Sequence, residues 1–276
     1  MLRAQLRVLD PAVRKIVFLF DERAVTFKAS AGVLRFDVPL HGFEGSEVGL
    51  GLTLQDGTVE RVEAPALLAL AGDASNALWE KFVAEVQLLS PGKVLEIGAR
   101  ARSGTTYRSF IPPHLEYTGL DIVAGPNVDI VGDAHDLPGS LADASFELVF
   151  SIAVFEHLAM PWKAVLSINR VLADGGLVFV GTHQTFPVHE APWDFWRFSD
   201  RAWHSLFNRA TGFEVIATAL GQPAEIVPRA TLPSVSGIDA QPAFLTSSVL
   251  ARKVGRPRVA WDVSLADLDP QGDYPN

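Results

Sequence analysis

The 276-residue chain contains no cysteine. That absence excludes disulfides, thiolate metal ligands and cysteine nucleophiles, and it fits a reducing compartment. Dense basic runs are missing too: 23 lysines and arginines against 32 acids leave a net charge of −9, so nucleic acid is not an expected partner. Long apolar runs are also lacking. The longest early one, IVFLF at 16–20, is far too short for a membrane span and has a charge on each side. No internal repeat is present. What remains is a globular chain, expected to be cytoplasmic, whose 48% hydrophobic content supports one large domain or a core domain with a small companion.

Between residues 13 and 63 the short runs KIVFLF, AVTFKA, VLRFDV, VGLGLTL and TVERV alternate with DER, SAG, HGFEGSE and QDG. This predicts a small antiparallel β module over 1–63. A linker and lead-in helix follow over 64–92, with Leu78, Phe82, Val83, Val86 and Leu89 on one helical face and Ser90-Pro91-Gly92 as the stop. From 93 to 254 apolar strands alternate with helical segments, the signature of an α/β sheet covered on both faces. The strands are expected at KVLEIG (93–98), LEYTGLD (115–121), NVDIVGD (127–133), FELVFSIA (146–153), LVFVGT (177–182), GFEVIATA (212–219) and AFLTSSVLARK (243–253). Ser103 is placed to cap a helix through Phe110, whereas the five residues Ile122 to Pro126 are too few for a crossover helix. Pro161 opens a helix ended by Asp174-Gly175-Gly176, and Ser199 caps another with Phe198 and Trp203 as a staple. The Pro-rich 255–276 reads as an extended tail.

In an open α/β sheet the ligand lies beyond the carboxyl ends of the strands. Those ends carry Glu96, Gly98, Asp121, Asp133, Ala134, Ser151 and His183. Acids at successive strand ends suit a ligand rich in hydroxyls and amines. Asp121 can accept from both hydroxyls of a ribose, and Asp133 from an adenine amine. Their alternative is to be solvated strand ends.

The series VLEIGARARSG, YTGLD, VGDAHDLP, FELVFSIAVFEHL and INRVLADGGLVFV resembles the successive motifs of the class I S-adenosylmethionine-dependent methyltransferases, over about residues 76–253. The resemblance implies a Rossmann-like, seven-stranded, mostly parallel sheet with a reversed last strand and S-adenosyl-L-methionine as cofactor. It also implies that Glu96 and Gly98 hold the amino-acid end, Asp121 with Ile122 the ribose, and Asp133 with Ala134 the adenine, while Ser151 lies near the methionine portion. Three departures stand out: arginines replace the later glycines of the first loop, the helix between strands two and three is nearly absent, and an insertion follows strand five. A cofactor without phosphates needs less close backbone approach, so Arg100 and Arg102 are tolerable there. Either can pair with the cofactor's carboxylate. Their alternative is solvent, or an acid such as Glu96.

The insertion THQTFPVHEAPWDFWRFSD (182–200) forms a lid over the methyl group. If the nucleophile is a hydroxyl a base must take its proton, and His183 is the first choice, then His189, then His157 in the FEHL turn. Trp193 and Trp196 offer aromatic faces to the acceptor, Asp194 can orient a histidine, and Arg197 can hold an acidic group. His183, His189, Glu190 and Asp194 are metal-capable types, but no tight spacing such as HExxH is present, so no metal is expected. The expected function is methyl transfer to a small molecule or glycan, at oxygen, with a histidine base. A noncatalytic scaffold is the alternative from another class. A nicotinamide-dependent oxidoreductase would demand glycine near 100 and 103, where Arg100 and Ser103 stand. The role of the β module and homo-oligomerisation stay open.

Overall fold

The computed structural model describes residues 2–8, 13–20, 23–28, 32–38, 48–54, 56–57 and 59–63, then 74–224 except Ser103, and 226, 234, 238 and 241–268. Most of the expected turns of the β module, including HGFEGSE, lie outside the described residues, as do the stretch 64–73, Ser103 and the last residues of the tail. Two compact units result, Met1–Ala71 and Gly72–Asn276.

The first unit holds β1 (Leu2–Val8), β2 (Val13–Phe20), β3 (Arg23–Lys28), β4 (Gly32–Val38), β5 (Val48–Leu54) and β6 (Val59–Glu63). Every pairing in it is antiparallel: β1 with β4, and a four-stranded sheet in the order β3-β2-β5-β6. The strand β1 was not foreseen.

The second unit opens with α1 (Ala74–Gln87), which buries Leu78, Phe82 and Val86 along one face. Then come β7 (Gly92–Ile97), β8 (Leu115–Asp121), β9 (Ile130–Val131), β10 (Phe146–Ile152), α2 (Pro161–Val171), β11 (Leu172–His183), α3 (Asp200–Leu206), β12 (Phe213–Ala224) and β13 (Ala243–Lys253). They build one seven-stranded sheet in the order β12-β13-β11-β10-β7-β8-β9. The pairs from β11 through β9 are parallel, and β13 runs antiparallel to both of its neighbours. This is the Rossmann-like sheet with a reversed last strand that the motif series implies.

Strand alternation sorts the core into two layers. Leu148 and Phe150 of β10, with Phe179 of β11, pack with Phe82 of α1; the Phe82 and Phe179 rings stack at 4.5 Å. Val149 and Val180 face the other way, toward Ile168 of α2 and Trp203 and Phe207. Each such side chain taken fully out of water contributes roughly 1.5–3 kcal/mol. Ser199 accepts from the Ala202 amide as the N-cap of α3, and Phe198 stacks on Trp203 at 4.8 Å. This is the expected staple.

Three expectations are corrected. The helix through Phe110 is only a single 3-10 turn, Arg108–Phe110. Gly104 adopts φ +78°, and Tyr107 and Phe110 are drawn onto Trp79 of α1, with ring centroids 5.6 and 5.2 Å away; tertiary packing overrides local propensity here. The third strand shrinks to two residues because Asn127 sits at φ +69°, and the Asp129 carboxylate, rather than a ladder partner, accepts from the Gly119 amide at 2.8 Å. The helix α2 ends at Val171, before Asp174-Gly175-Gly176, which instead form an irregularity within β11. Among the described residues no helix is long and apolar enough to cross a membrane.

Candidate active site

At the carboxyl ends of β7, β8 and β10 lies a cleft bordered by Gly98, Asp121, Ile122, Asp133, Ala134 and Val154, closed on its other side by His157, Leu158, Trp193 and Leu265. Gly98 makes the tight first turn at φ +81°, where a Cβ would lie 2.1 Å from the Val154 side chain. Only glycine fits. The Gly98 and Ala99 amides both donate to the Leu120 carbonyl, at 2.8 and 3.0 Å, which ties the turn to β8. The Asp121 carboxylate accepts from the Arg100 amide at 3.2 Å and the Val123 amide at 3.0 Å, so the two loops fix its position.

Asp133 is held from within its own turn. The Met160 amide donates to His135 Nε2, so the ring proton sits on Nδ1, which donates to Asp133 Oδ1 at 2.7 Å. Burial pushes the Asp133 carboxyl up, but the hydrogen bonds from the His135 ring and amide outweigh it and hold the group below its ordinary value. Among the described residues no lysine or arginine borders the cleft. Two carboxylates and apolar walls fit a nucleoside without phosphates.

Other expected residues stand elsewhere. Glu96 is buried, accepts from the Tyr117 hydroxyl, and does not border the cleft. Burial raises its carboxyl to about 7, against the lowering effects of that hydrogen bond and of Arg108. The buried Ser151 hydroxyl donates to the Ile97 carbonyl at 3.1 Å and so joins β10 to β7. The stem of Arg100 lies over Gly125, and Arg102 pairs with Glu190 of the lid at 2.9 Å. Neither guanidinium borders the cleft.

The lid is anchored to the turn after β10. The Phe195 and Trp196 amides donate to the Glu156 carbonyl at 2.8 and 3.2 Å, and Trp196 Nε1 donates to the Leu158 carbonyl at 2.8 Å. Arg197 braces the lid from inside: it holds Asp194 through two bonds of 2.6 and 2.8 Å and donates to the Phe186 and Pro187 carbonyls. This fork, with the His189 amide, keeps the Asp194 carboxyl far below its ordinary value. Trp193 is buried against the cleft, while Trp196 stays partly exposed beside Trp162.

The three expected histidines converge. The His189 ring lies 4.9 Å from that of His157 and 5.2 Å from that of His183. Glu156 sits beneath them with no solvent exposure. Its Oε2 accepts from Thr182 Oγ1, but among the described residues its Oε1 has no hydrogen-bond partner, and neither has the buried Nδ1 of His183. Burial lowers the His183 pKa, partly opposed by Glu156. His157 Nδ1 donates to the Trp193 carbonyl at 2.6 Å. Of the three, only His157 borders the cleft.

Sequence reasoning passed over Glu156, His135 and Leu265. Glu156 had a signal, an acid one turn beyond an apolar strand, but the FEHL turn was read for its histidine. Leu265 had none, because its place depends on the tail being carried back to the cleft: Trp261 packs on Trp162 at 5.5 Å and its Nε1 donates to Met160 Sδ.

Residues 97–180, from the end of β7 through most of β11, match a family model described as a methyltransferase domain. No curated protein matches the chain. Among solved structures, the putative methyltransferase of Haloferax volcanii, seen with the Trm112 methyltransferase activator, is similar at 20% identity over 64% of this chain and 89% of that one, with a TM-score of 0.46. The YcgJ protein of Bacillus subtilis is similar at 18% identity over 66% and 99%, TM-score 0.46. A SAM dependent methyltransferase from Aquifex aeolicus is similar at 16% identity over 63% and 89%, TM-score 0.42.

Proposed function

From a chain that carries a class I, S-adenosylmethionine-dependent methyltransferase domain, we propose a finer reading: methyl transfer to a hydroxyl of a small molecule or glycan, with a histidine taking the proton. The observation that carries it is the cation-free cleft between Gly98, Asp121 and Asp133, one wall of which is His157 under the lid. When bound, the cofactor supplies an electrophilic methyl group whose bonding electrons stay on sulfur. Asp121 accepts from the ribose hydroxyls, with Ile122 at its side. Asp133, aimed by His135, accepts from the adenine amine, and Ala134 and Leu265 offer apolar contacts. Gly98 lets the first turn close against Val154, and Glu96 and Ser151 support that turn from behind. The carboxylate contact of Arg100 or Arg102 is left out of this reading, since Arg102 serves to tie the first loop to Glu190.

In this reading the order of the bases changes. His157, with its Nδ1 proton fixed on the Trp193 carbonyl, presents Nε2 to take the acceptor's proton as the new oxygen–methyl bond forms. His183 and His189 stand behind it against Glu156. Trp193 and the braced lid exclude water from the reacting pair. Trp196, partly exposed, faces arriving acceptors, while Asp194 and Arg197 keep the lid in shape.

Calorimetry with S-adenosylhomocysteine, followed by mass spectrometry of hydroxylated aromatic and sugar acceptors, tests this reading. Binding that Asp121→Ala weakens, together with a mass gain of one methyl on an acceptor oxygen, supports it. Failure of the unaltered protein to bind overturns it.

A further inference from the structure

We propose that Glu156, His183 and His189 form a divalent-metal site of the two-histidine, one-carboxylate kind, next to the cofactor cleft. One ligand atom from each lies within 4.8 Å of the other two. The three come from separate places: the turn after β10, the end of β11 and the lid. No short sequence spacing announces them.

The hydrogen-bond pattern separates a metal site from an ordinary ion pair. Glu156 is fully buried, and a buried carboxylate is costly unless each oxygen is satisfied. Oε2 has Thr182, whereas Oε1 has no hydrogen-bond partner, although His183 Nε2 is 3.2 Å away and His157 Nε2 is 3.8 Å away. The close nitrogen is therefore at hydrogen-bonding distance but not in hydrogen-bonding alignment. Two donors on one tetrahedral zinc ion, at bond lengths of about 2.0–2.2 Å, stand about 3.3 Å apart. The 3.2 Å between Glu156 Oε1 and His183 Nε2 matches that spacing, and the His189 ligand atom lies within 4.8 Å of both.

The surroundings of Glu156 and His189 supply part of what a metal site requires around its ligands. Thr182 holds the non-ligating oxygen of Glu156. His189 Nδ1 lies 3.1 Å from the Pro187 carbonyl, to which it can only donate, and this leaves Nε2 with its lone pair. Asp194 also comes near His189, but Arg197 and the His189 amide already occupy its oxygens, so it acts as a brace and not a ligand. His157 is likewise outside the set, committed to the Trp193 carbonyl and bordering the cleft. Three protein ligands leave one position for an oxygen.

The role of this site rests on the methyl-transfer reading. None of its three ligands borders the cleft, so the ion would act through the lid: it would join His189 to Glu156 and His183 and so hold His157 and Trp193 at the wall of the cleft. The chemistry of the set, nitrogen and oxygen without sulfur, suits zinc or another divalent first-row ion.

The test uses the full chain, stripped with a chelator and titrated calorimetrically with zinc, and in parallel with cobalt followed by visible absorption. One equivalent of zinc and tetrahedral cobalt bands are expected, with His189→Ala and Glu156→Gln each weakening affinity about tenfold or more and His204→Ala, on the exposed side of α3, leaving it unchanged. Because Glu156 is buried, circular dichroism checks the fold of its variant, and the lid variant His189→Ala decides if that fold is lost. Zinc binding no tighter than that of the His183→Ala/His189→Ala double variant overturns the site. S-Adenosylhomocysteine binding is measured on the same samples: intact nucleoside binding without metal binding sinks only the metal site, and the reverse sinks only the methyl-transfer reading.

Discussion

The cleft and the histidine cluster lie side by side, yet they are built on opposite terms. In the cleft the polar groups are already paired: Asp121 with two backbone amides, Asp133 with His135. Beside it, Glu156 and His183 each keep a buried polar atom without a hydrogen-bond partner. A prepaired site can receive a neutral nucleoside with little rearrangement, since fixed acceptors cost no reorganisation when the ligand arrives. An unpaired site requires something from outside to complete it.

The largest effect that would sharpen this contrast is expected at their border. His157→Ala should lower turnover by roughly 10²-fold or more, the usual worth of a general base, while S-adenosylhomocysteine affinity stays within about twofold. Single-turnover methyl transfer and calorimetry on one preparation check both halves. Equal loss of binding and turnover would return His157 to a purely architectural part.

Glu96 is where the contrast can be broken, because it is a buried acid on β7, one of the strands that end at the cleft. Tyr117, Tyr107, Asn127, Arg108 and Asp121 surround it, and burial raises it from 4.5 to about 7. Above pH 4.5 the unfolded chain gives up this proton and the native one keeps it. The stability from Glu96 is thus full below 4.5 and is lost as pH rises through about 7, by roughly 3 kcal/mol in total. Glu96→Gln, which still accepts from Tyr117, should be the more stable protein at pH 8, with the gap closing toward pH 4.5. Parallel melting profiles across that range would refute the shift.

Asp121→Ala comes next. Removing a charged acceptor from two ribose hydroxyls should weaken S-adenosylhomocysteine by about 10- to 100-fold and leave zinc binding unaltered, which keeps the two sites separable. Loss of both would mean that they form one unit. A smaller change is expected from Leu265→Ala: losing an apolar wall should cost about five- to tenfold in nucleoside affinity, again read by calorimetry. No change would place the tail outside the site.

Much of this was legible locally. LEYTGLD and AFLTSSVLARK form strands at the boundaries expected of them, 115–121 and 243–253, because period and flanking turns lie within one short window. The turn at Gly98 and the acids that end β8 and precede the Asp133 turn follow from the same local signals. So does the cap at Ser199, a hydrogen bond only three residues long.

What the sequence by itself determined, then, is the strands and the acids at their ends, since alternation, glycine turns and caps act between near neighbours, while the reversed last strand followed only from the resemblance of the motif series. Tertiary structure decided the rest. Tyr107 and Phe110 abandoned a helix to pack on Trp79, and Arg102 met Glu190 instead of the cleft. Leu265 was carried to the wall of the cleft, and Glu156 was brought beneath histidines 27 and 33 positions away. Those outcomes depend on which distant surfaces exclude water together, and burial between segments leaves no period in the chain that could announce it.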